Sequence, residues 1–120
     1  MRAKVLFLCT GNYYRSRFAE LLFSHLAAQQ GAPWEADSRG LAIELGVNNV
    51  GPISPHTLAR LEALAIPLPT TMRSPQQATE ADLQAATLTI ALDGPNIILH
   101  ARAVPNWAGH RLLGRGRSAR

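Results

Sequence analysis

The chain of 120 residues has a single cysteine, Cys9, and no apolar run near the roughly 20 residues that a transmembrane helix needs. One thiol excludes an internal disulfide, and a lone reactive thiol is typical of a reducing compartment. The apolar start over 3–8 is shorter than a signal peptide and lacks a small-residue cleavage site. These absences predict a cytoplasmic protein that makes no use of a membrane.

A net positive charge is also absent from most of the chain, because the excess of basic residues lies at one end. The net charge is +4, and four of the 12 Lys and Arg residues lie within 111–120, so the other eight are balanced by the eight acidic residues. Basic tails bind polyanions, but this one has few aromatic residues and belongs to no known nucleic-acid module. We therefore expect no nucleic-acid partner, and we interpret 111–120 as a basic, poorly ordered tail.

Apolar residues, in contrast, are present at the level of an ordinary globular protein. They form 47% of the chain, which argues against disorder. A chain of this length is sufficient for one domain with one core, and no repeat or linker divides it. We place that domain at 1–110. No feature of the sequence predicts an oligomeric state.

Strands and helices are predicted to alternate. The apolar run over 4–8 is typical of a strand buried on both faces, and apolar residues four apart predict a helix over 16–30 that ends at Gly31. The other predicted elements are a strand over 34–39, a loop over 41–53, a helix capped by Ser54, a short capped helix from Thr79, a strand over 88–92 and a helix over 95–102. Residues 70–78 are either a loop or a short edge strand. Such alternation implies an α/β domain with a parallel sheet covered on both faces.

One segment of this pattern combines a thiol with features that bind anions. Cys9 ends the first strand and Arg15 lies six positions later, at the start of the first helix. Helix N-termini attract anions, and a guanidinium fork matches two oxygens of a phosphate. Gly11 permits close backbone approach, and Asn12 tolerates the left-handed conformation. The same surroundings favour a thiolate. The segment therefore predicts a loop that binds phosphate and activates a nucleophile.

Each of these residues also has an ordinary interpretation. A lone cysteine at the end of a strand is usually a small hydrophobic residue. Arg15 could be a solvated residue of the first helical turn, although the helix dipole disfavours a cation there unless an anion is present. The occurrence of both residues around Gly11 and Asn12 favours the catalytic interpretation.

The segment 5–16, Val-Leu-Phe-Leu-Cys-Thr-Gly-Asn-Tyr-Tyr-Arg-Ser, is followed by Phe18-Ala19-Glu20. It resembles the active-site signature of low-molecular-weight protein-tyrosine phosphatases, a group that includes related arsenate reductases. The segment 37–40 is similar to that family's Ser-Ala-Gly segment, and 79–96 resembles its fourth strand and following helix. The resemblance covers most of 1–99. It implies a phosphotyrosine phosphatase I-like, three-layer α/β/α fold with a central parallel sheet of about four strands.

The resemblance also implies a mechanism and a set of site residues. The Cys9 thiolate would attack the phosphorus of a phosphomonoester, either a phosphorylated small molecule or a phosphotyrosine protein, and form a cysteinyl-phosphate. Ser16 would donate its hydroxyl to the thiolate, and Asn12 would brace the loop with Ser38 as its hydrogen-bond partner. Water would hydrolyse the intermediate without a metal or other cofactor. The residues whose amides or side chain would bind the phosphate are Thr10, Gly11, Asn12, Tyr13, Tyr14, Arg15 and Ser16.

Two departures from the family concern cysteine. Tyr14 stands where the family usually has a second cysteine, which excludes a protective disulfide within the loop. The further cysteines that arsenate reductases use to pass electrons are also absent. Arsenate reduction is therefore an alternative function only with external thiols.

A third departure concerns the general acid, which the family carries in an Asp-Pro loop near its C-terminus. The nearest equivalent here is 104–107, where Asn106 cannot protonate a leaving group. Asp93 is the candidate acid, because it follows a strand whose end is expected beside Cys9, although the matching family residue is mainly structural. His110 is a second candidate. The main alternative to a phosphatase is thus a pseudoenzyme that binds phosphate or a phosphoprotein without turnover.

The last segment, 114–120, lacks the apolar periodicity of the helix with which the family normally ends. We interpret it as a truncated or diverged C-terminus.

Overall fold

A computed structural model describes residues 3–93 and 96–101. The predicted tail at 111–120, the candidate acid His110 and Asn106, which stands where the family has its acid, lie outside these residues. The domain limits of 1–110 stay a prediction. The elements in chain order are β1 (Ala3–Cys9), α1 (Arg15–Gln30), β2 (Trp34–Gly40), a 3-10 helix (Ile43–Gly46), α2 (Pro55–Ala63), α3 (Glu80–Ala85), β3 (Leu88–Asp93) and β4 (Asn96–Ala101).

The four strands form one sheet with the order β2-β1-β3-β4. β1 is parallel to both β2 and β3, whereas β4 is antiparallel to β3. The predicted α/β class with a central parallel sheet is confirmed, with three parallel strands. Within the described part of the chain, no helix is long and apolar enough to span a bilayer.

The helix predicted over 95–102 is wrong, because residues 96–101 form strand β4. Asp93 pairs with Asn96 and Leu88 with Ala101. Only two residues separate β3 from β4, which suits a hairpin and is too few for the crossover to a parallel strand. The run Ile97-Ile98-Leu99 also has the β-branched and apolar character that favours a strand.

The core surrounds β1, as its apolar run predicts. Residues 5–9 are all at most 7% exposed. On one face, the ring of Phe7 lies 5.9 Å from that of Phe23 in α1. On the other face, Leu6 and Leu8 pack with Ala86, which follows α3. Helices therefore cover both faces of the sheet, and the three-layer arrangement is confirmed.

The predicted helix ends are confirmed by their capping contacts. Gly31 ends α1 in the left-handed conformation with φ of 64°. The Ser54 side chain accepts a hydrogen bond from the His56 amide, with Pro55 in the first turn of α2. Thr79 and Asp82 form a reciprocal capping box at the start of α3. These signals are local, and they fix where each helix begins relative to the sheet.

The parallel strands bring their carboxyl ends to one edge of the sheet, where ligands bind in this class of fold. Cys9 at the end of β1 pairs with Gly40 at the end of β2. Leu8 pairs with Ala91 of β3, so the backbone of Asp93 lies near the same edge. The loop over 10–14 leaves β1 at this edge and enters α1.

Candidate active site

Carbonyl groups of Cys9 and of the loop over 10–14 accept hydrogen bonds from neighbouring segments. The Cys9 and Thr10 carbonyls accept hydrogen bonds from the amides of Leu41 and Ala42, each at 2.9 Å. The Tyr13 carbonyl accepts from the Ser54 amide at 3.0 Å. Within 3–93 and 96–101, no group accepts a hydrogen bond from the main-chain N–H groups over 11–14. The loop thus presents a row of unsatisfied donors, which is the arrangement that binds anions.

The start of α1 adds to this preference for an anion. Its N-cap residue, Tyr14, makes no side-chain capping bond, and the first turn contains no acidic residue. Two arginines, Arg15 and Arg17, lie in that turn instead. Both features oppose the usual pattern of a helix N-terminus, which favours an oxygen cap and negative charge. A bound anion would satisfy the main-chain donors of the loop.

Asn12 holds the loop in shape from behind. It has a positive φ of 51° and is fully buried. Its Nδ2 donates to Oγ of Ser16 at 2.8 Å and to Oγ of Ser38 at 3.0 Å. Asn12 thus joins Ser16 of α1 to Ser38 of β2, the residue that the family resemblance pairs with it.

Cys9 and Ser16 are in direct contact. The Cys9 thiol donates to Oγ of Ser16 at a distance of 3.0 Å, and both residues are buried. When the thiol is ionised, the sulfur can only accept, so the hydroxyl must donate to it. The Ser16 hydroxyl thus lies within hydrogen-bond distance of the Cys9 sulfur in either ionisation state.

Three residues that sequence reasoning did not assign complete the support: Arg73, Glu20 and Gln76. Arg73 donates to Oδ1 of Asn12 at 2.9 Å, and the Gln76 amide donates to the same oxygen at 3.1 Å. Glu20 accepts from Oγ of Ser38 at 2.5 Å and pairs with Arg73 at 3.2 Å. Glu20 belongs to the family signature and could have been found there. Arg73 and Gln76 lie in the unpatterned 70–78 segment, which carries no such signal.

Arg17 is a fourth unpredicted contributor. It is 3% exposed, and its guanidinium donates to the carbonyls of Pro52 at 3.0 Å and Arg73 at 2.9 Å. Burial and the nearby Arg73 charge lower the pKa of Arg17, while Glu20, Asp37 and Cys9 oppose that shift. Arg17 therefore ties two distant loops to the first turn of α1.

The two tyrosines of the loop contact the segment before and within α2. The Tyr13 hydroxyl donates to the Val50 carbonyl at 2.6 Å. Tyr14 is 42% exposed, with its ring 5.9 Å from that of His56. Their side chains therefore contact Val50 and His56, and their amides belong to the row of donors. Arg15 is half-buried at the first position of α1, and Asp93 is placed by its backbone alone.

Gly40 makes the close approach of β2 to the loop possible. A Cβ atom at this position would lie 2.5 Å from Cγ2 of Ile43, 3.0 Å from the Thr10 carbonyl oxygen and 3.1 Å from Cβ of Asn12. Two of these three atoms belong to the loop, and one is main chain. Any side chain at this position must therefore move the loop.

We expect Gly40→Ala to destabilise the protein by about 1–3 kcal/mol, the usual cost of overpacking, and to weaken binding of inorganic phosphate. Urea unfolding and a phosphate titration would measure the two effects. Gly31→Ala is the matched control, because Gly31 has a positive φ but nothing lies within 4 Å of the place that a Cβ atom would take. It should destabilise the fold and leave phosphate affinity unchanged. Equal phosphate affinities in both variants would contradict the role of Gly40.

Comparisons with known proteins agree with this arrangement. The family model described as low molecular weight phosphotyrosine protein phosphatase matches residues 4–110. YfkJ from Bacillus subtilis is 32% identical, with a TM-score of 0.66 over 79% of this chain and 58% of its own. The low molecular weight protein tyrosine phosphatase from T. tengcongensis is 31% identical, with a TM-score of 0.62 over 74% of this chain and 57% of its own.

A related solved structure has a different activity in its name. The thioredoxin-dependent arsenate reductase of Corynebacterium glutamicum is 26% identical, with a TM-score of 0.59 over 90% of this chain and 48% of its own. The match thus spans less than two thirds of each of these relatives. No curated protein matches the chain. Because the family model covers nearly all of the sequence and the fold is shared, the chain belongs to the low molecular weight phosphotyrosine protein phosphatase family.

Proposed function

We propose that the chain hydrolyses phosphomonoesters, in particular phosphotyrosine in proteins, through a cysteinyl-phosphate formed on Cys9. One observation carries the proposal: main-chain donors over 11–14, which have no acceptor among the residues that the structure describes, lie between Cys9, at the end of β1, and the first turn of α1. A phosphate is a dianion with several acceptor oxygens, and it matches such a row better than a neutral ligand does.

The reaction needs two displacements at phosphorus. In the first, the Cys9 thiolate forms an S–P bond while the bond to the ester oxygen breaks, and that oxygen takes a proton. In the second, water attacks phosphorus, the S–P bond breaks and the thiolate returns. The loop amides and Arg15 would stabilise the charge on the equatorial oxygens in both steps. The Ser16 hydroxyl, 3.0 Å from the sulfur, would stabilise the thiolate as nucleophile and as leaving group.

Apolar side chains beside the loop support an aromatic substrate. Leu41, whose amide bonds to the Cys9 carbonyl, is 51% exposed. Val50, whose carbonyl accepts from Tyr13, is 81% exposed. Apolar surface of this kind next to a phosphate site favours an aryl ester over a small polar one.

Protonation of the leaving group is the step for which the sequence departs from the family pattern. Asn106 stands where the acid is expected, and Asp93 and His110 are the candidates for that role. We therefore expect 4-nitrophenyl phosphate, whose leaving group needs little protonation, to be turned over roughly 10²- to 10⁴-fold faster than a phosphotyrosine peptide. Steady-state kcat values for the two substrates would measure this.

Three outcomes of that comparison separate the candidates. Similar kcat values would show a working acid and contradict the expected impairment, and Asp93→Asn would then test whether Asp93 supplies the proton. Turnover of the nitrophenyl ester alone would support an acid-deficient phosphatase. Binding of inorganic phosphate without turnover of either substrate would support the pseudoenzyme.

Arsenate reduction is the second candidate, because the arsenate reductase of Corynebacterium glutamicum shares this fold and arsenate resembles phosphate in shape and charge. The chain has one cysteine, so every further thiol must come from outside. Arsenate-dependent oxidation of added glutathione that is lost in Cys9→Ser would support this activity.

A further inference from the structure

The carboxamide of Asn12 uses its whole hydrogen-bonding capacity inside the protein. Nδ2 donates two hydrogen bonds, to Ser16 and Ser38. Oδ1 accepts two, from the Arg73 guanidinium at 2.9 Å and the Gln76 amide at 3.1 Å. An Asn side chain offers two donors and two acceptor positions, so no capacity remains. The residue is fully buried, and a rotation of the amide by 180° would set Nδ2 against the Arg73 guanidinium and the Gln76 amide, which can only donate.

The partners of Oδ1 decide which way this amide points. A guanidinium and a main-chain N–H can only donate, so the atom that faces Arg73 and Gln76 must be the oxygen. The two serines, in contrast, have hydroxyls that can either donate or accept. They adapt to whichever end of the amide faces them and impose no orientation of their own.

The orientation of the Asn12 amide determines how the Ser16 hydroxyl is hydrogen-bonded. It thereby affects the contact between Ser16 and the candidate nucleophile, Cys9. Because Nδ2 donates to Oγ of Ser16 at 2.8 Å, that oxygen is an acceptor there, and its single hydrogen is left for another partner. When Cys9 is a thiolate, that partner is its sulfur, which lies 3.0 Å from the Ser16 oxygen. With the amide reversed, Oδ1 would compete for the same hydrogen, and the thiolate would lose its hydroxyl donor.

The Ser38 hydroxyl, like that of Ser16, accepts from Asn12 and donates to a further group. Its Oγ accepts from Asn12 at 3.0 Å and from Arg73 at 2.9 Å, and it donates to Glu20 at 2.5 Å. Glu20 as a carboxylate can only accept. Two chains of hydrogen bonds thus start at Arg73, and in each of them every group donates to the next. One chain ends at Glu20 and the other at Cys9.

We propose that Arg73 is a positioning residue that orients the Asn12 carboxamide and thereby directs the Ser16 hydroxyl to the Cys9 thiolate. Its kinetic consequence rests on the proposed phosphatase function, whereas the orientation of the amide does not. Arg73 needs both of its terminal nitrogens for this role: Nη1 reaches Asn12, and Nη2 reaches the Ser38 carbonyl at 2.8 Å. A lysine has the charge but not the planar fork.

The kinetic test compares Arg73→Met and Arg73→Lys with Arg39→Met. Arg39 is the matched control, because it also pairs with Asp37 and donates to the Ser38 carbonyl but makes no contact with Asn12. We expect both Arg73 variants to lower kcat for 4-nitrophenyl phosphate by roughly tenfold to a hundredfold, the scale of one hydrogen bond to a charged group. Arg39→Met should affect stability alone. Full activity in Arg73→Lys would overturn the proposal.

A double-mutant cycle with Ser16→Ala separates positioning from general support. If Arg73 acts through Ser16, Arg73→Met should lower kcat by less than about threefold once the hydroxyl is gone. An equal loss in both backgrounds would show a merely structural role and would overturn the proposal.

A spectroscopic readout is independent of any activity. Solvent exchange of the Asn12 side-chain NH2 signals, measured by NMR, should be at least about tenfold faster in Arg73→Lys than in the native chain and unchanged in Arg39→Met. Unchanged exchange in Arg73→Lys would overturn the proposal. If no aryl phosphate is turned over by the native chain, the proposed function fails, and this measurement alone decides the role of Arg73.

Discussion

Replacing Cys9 by serine is expected to lower turnover of 4-nitrophenyl phosphate by roughly 10⁴-fold or more, the scale on which removal of a nucleophile acts. The chain contains no second cysteine that could take its place. A serine hydroxyl at this position would contact Ser16, as the Cys9 thiol does. None of the contacts described for Cys9 is with a general base that could activate that hydroxyl. The change is small in volume, so the buried end of β1 should retain its packing. Initial rates at saturating ester would measure the loss.

Phosphate binding is the control for this substitution. The row of loop donors is main chain, and Cys9→Ser does not remove it. We expect the variant to bind inorganic phosphate with an affinity similar to that of the native chain and to trap no covalent phosphate. Native rates in Cys9→Ser would refute the cysteinyl-phosphate mechanism.

Arg15→Ala is expected to be nearly as damaging, with a loss of roughly 10³- to 10⁵-fold in kcat/KM, the range typical of an arginine that stabilises a transferring phosphoryl group. Arg15 opens α1, whose first turn has no acidic residue and no side-chain cap, so its guanidinium and the helix N-terminus would act on the same oxygens. Arg15→Lys should recover part of the loss, since it keeps the charge but not the bidentate fork.

Arg60→Ala is the control for Arg15. Arg60 lies in α2 with its guanidinium 5.4 Å from the centroid of the Phe18 ring, outside the loop. We expect its removal to leave turnover and phosphate affinity unchanged, with at most a small effect on stability. Comparable losses in both variants would point to general destabilisation and against a direct role of Arg15.

The parts of this protein that its sequence predicts are those in which neighbours along the chain interact. Gly31, Ser54 and Thr79 each bound a helix through contacts within a few residues, and each can be predicted from its own neighbourhood. The loop from Cys9 to Arg15 is equally local, because seven consecutive residues carry the thiol, the amides and the guanidinium.

Strand β4 shows where the same reasoning fails. The apolar run 97–99 is compatible with a helix or a strand when only its own residues are considered. Pairing with β3 extends along all six residues and supplies main-chain hydrogen bonds at alternate positions, and this pairing is a tertiary interaction. The family resemblance, which implied a helix after this point, did not resolve the ambiguity correctly.

The sequence by itself thus determined the fold class and the buried strand β1, and it predicts a loop suited to hold a phosphate against Cys9. Only the tertiary structure decided how that loop is held. Arg73 and Gln76 lie 61 and 64 residues from Asn12 along the chain, in a segment without periodicity. They meet Asn12 because parallel pairing of β1 with β2 brings Ser38 and Gly40 beside the loop, and a single bridge between Gly40 and Gln77 holds the 70–78 segment there. Hydrogen bonds of this kind depend on chain topology, which no local pattern of residues encodes.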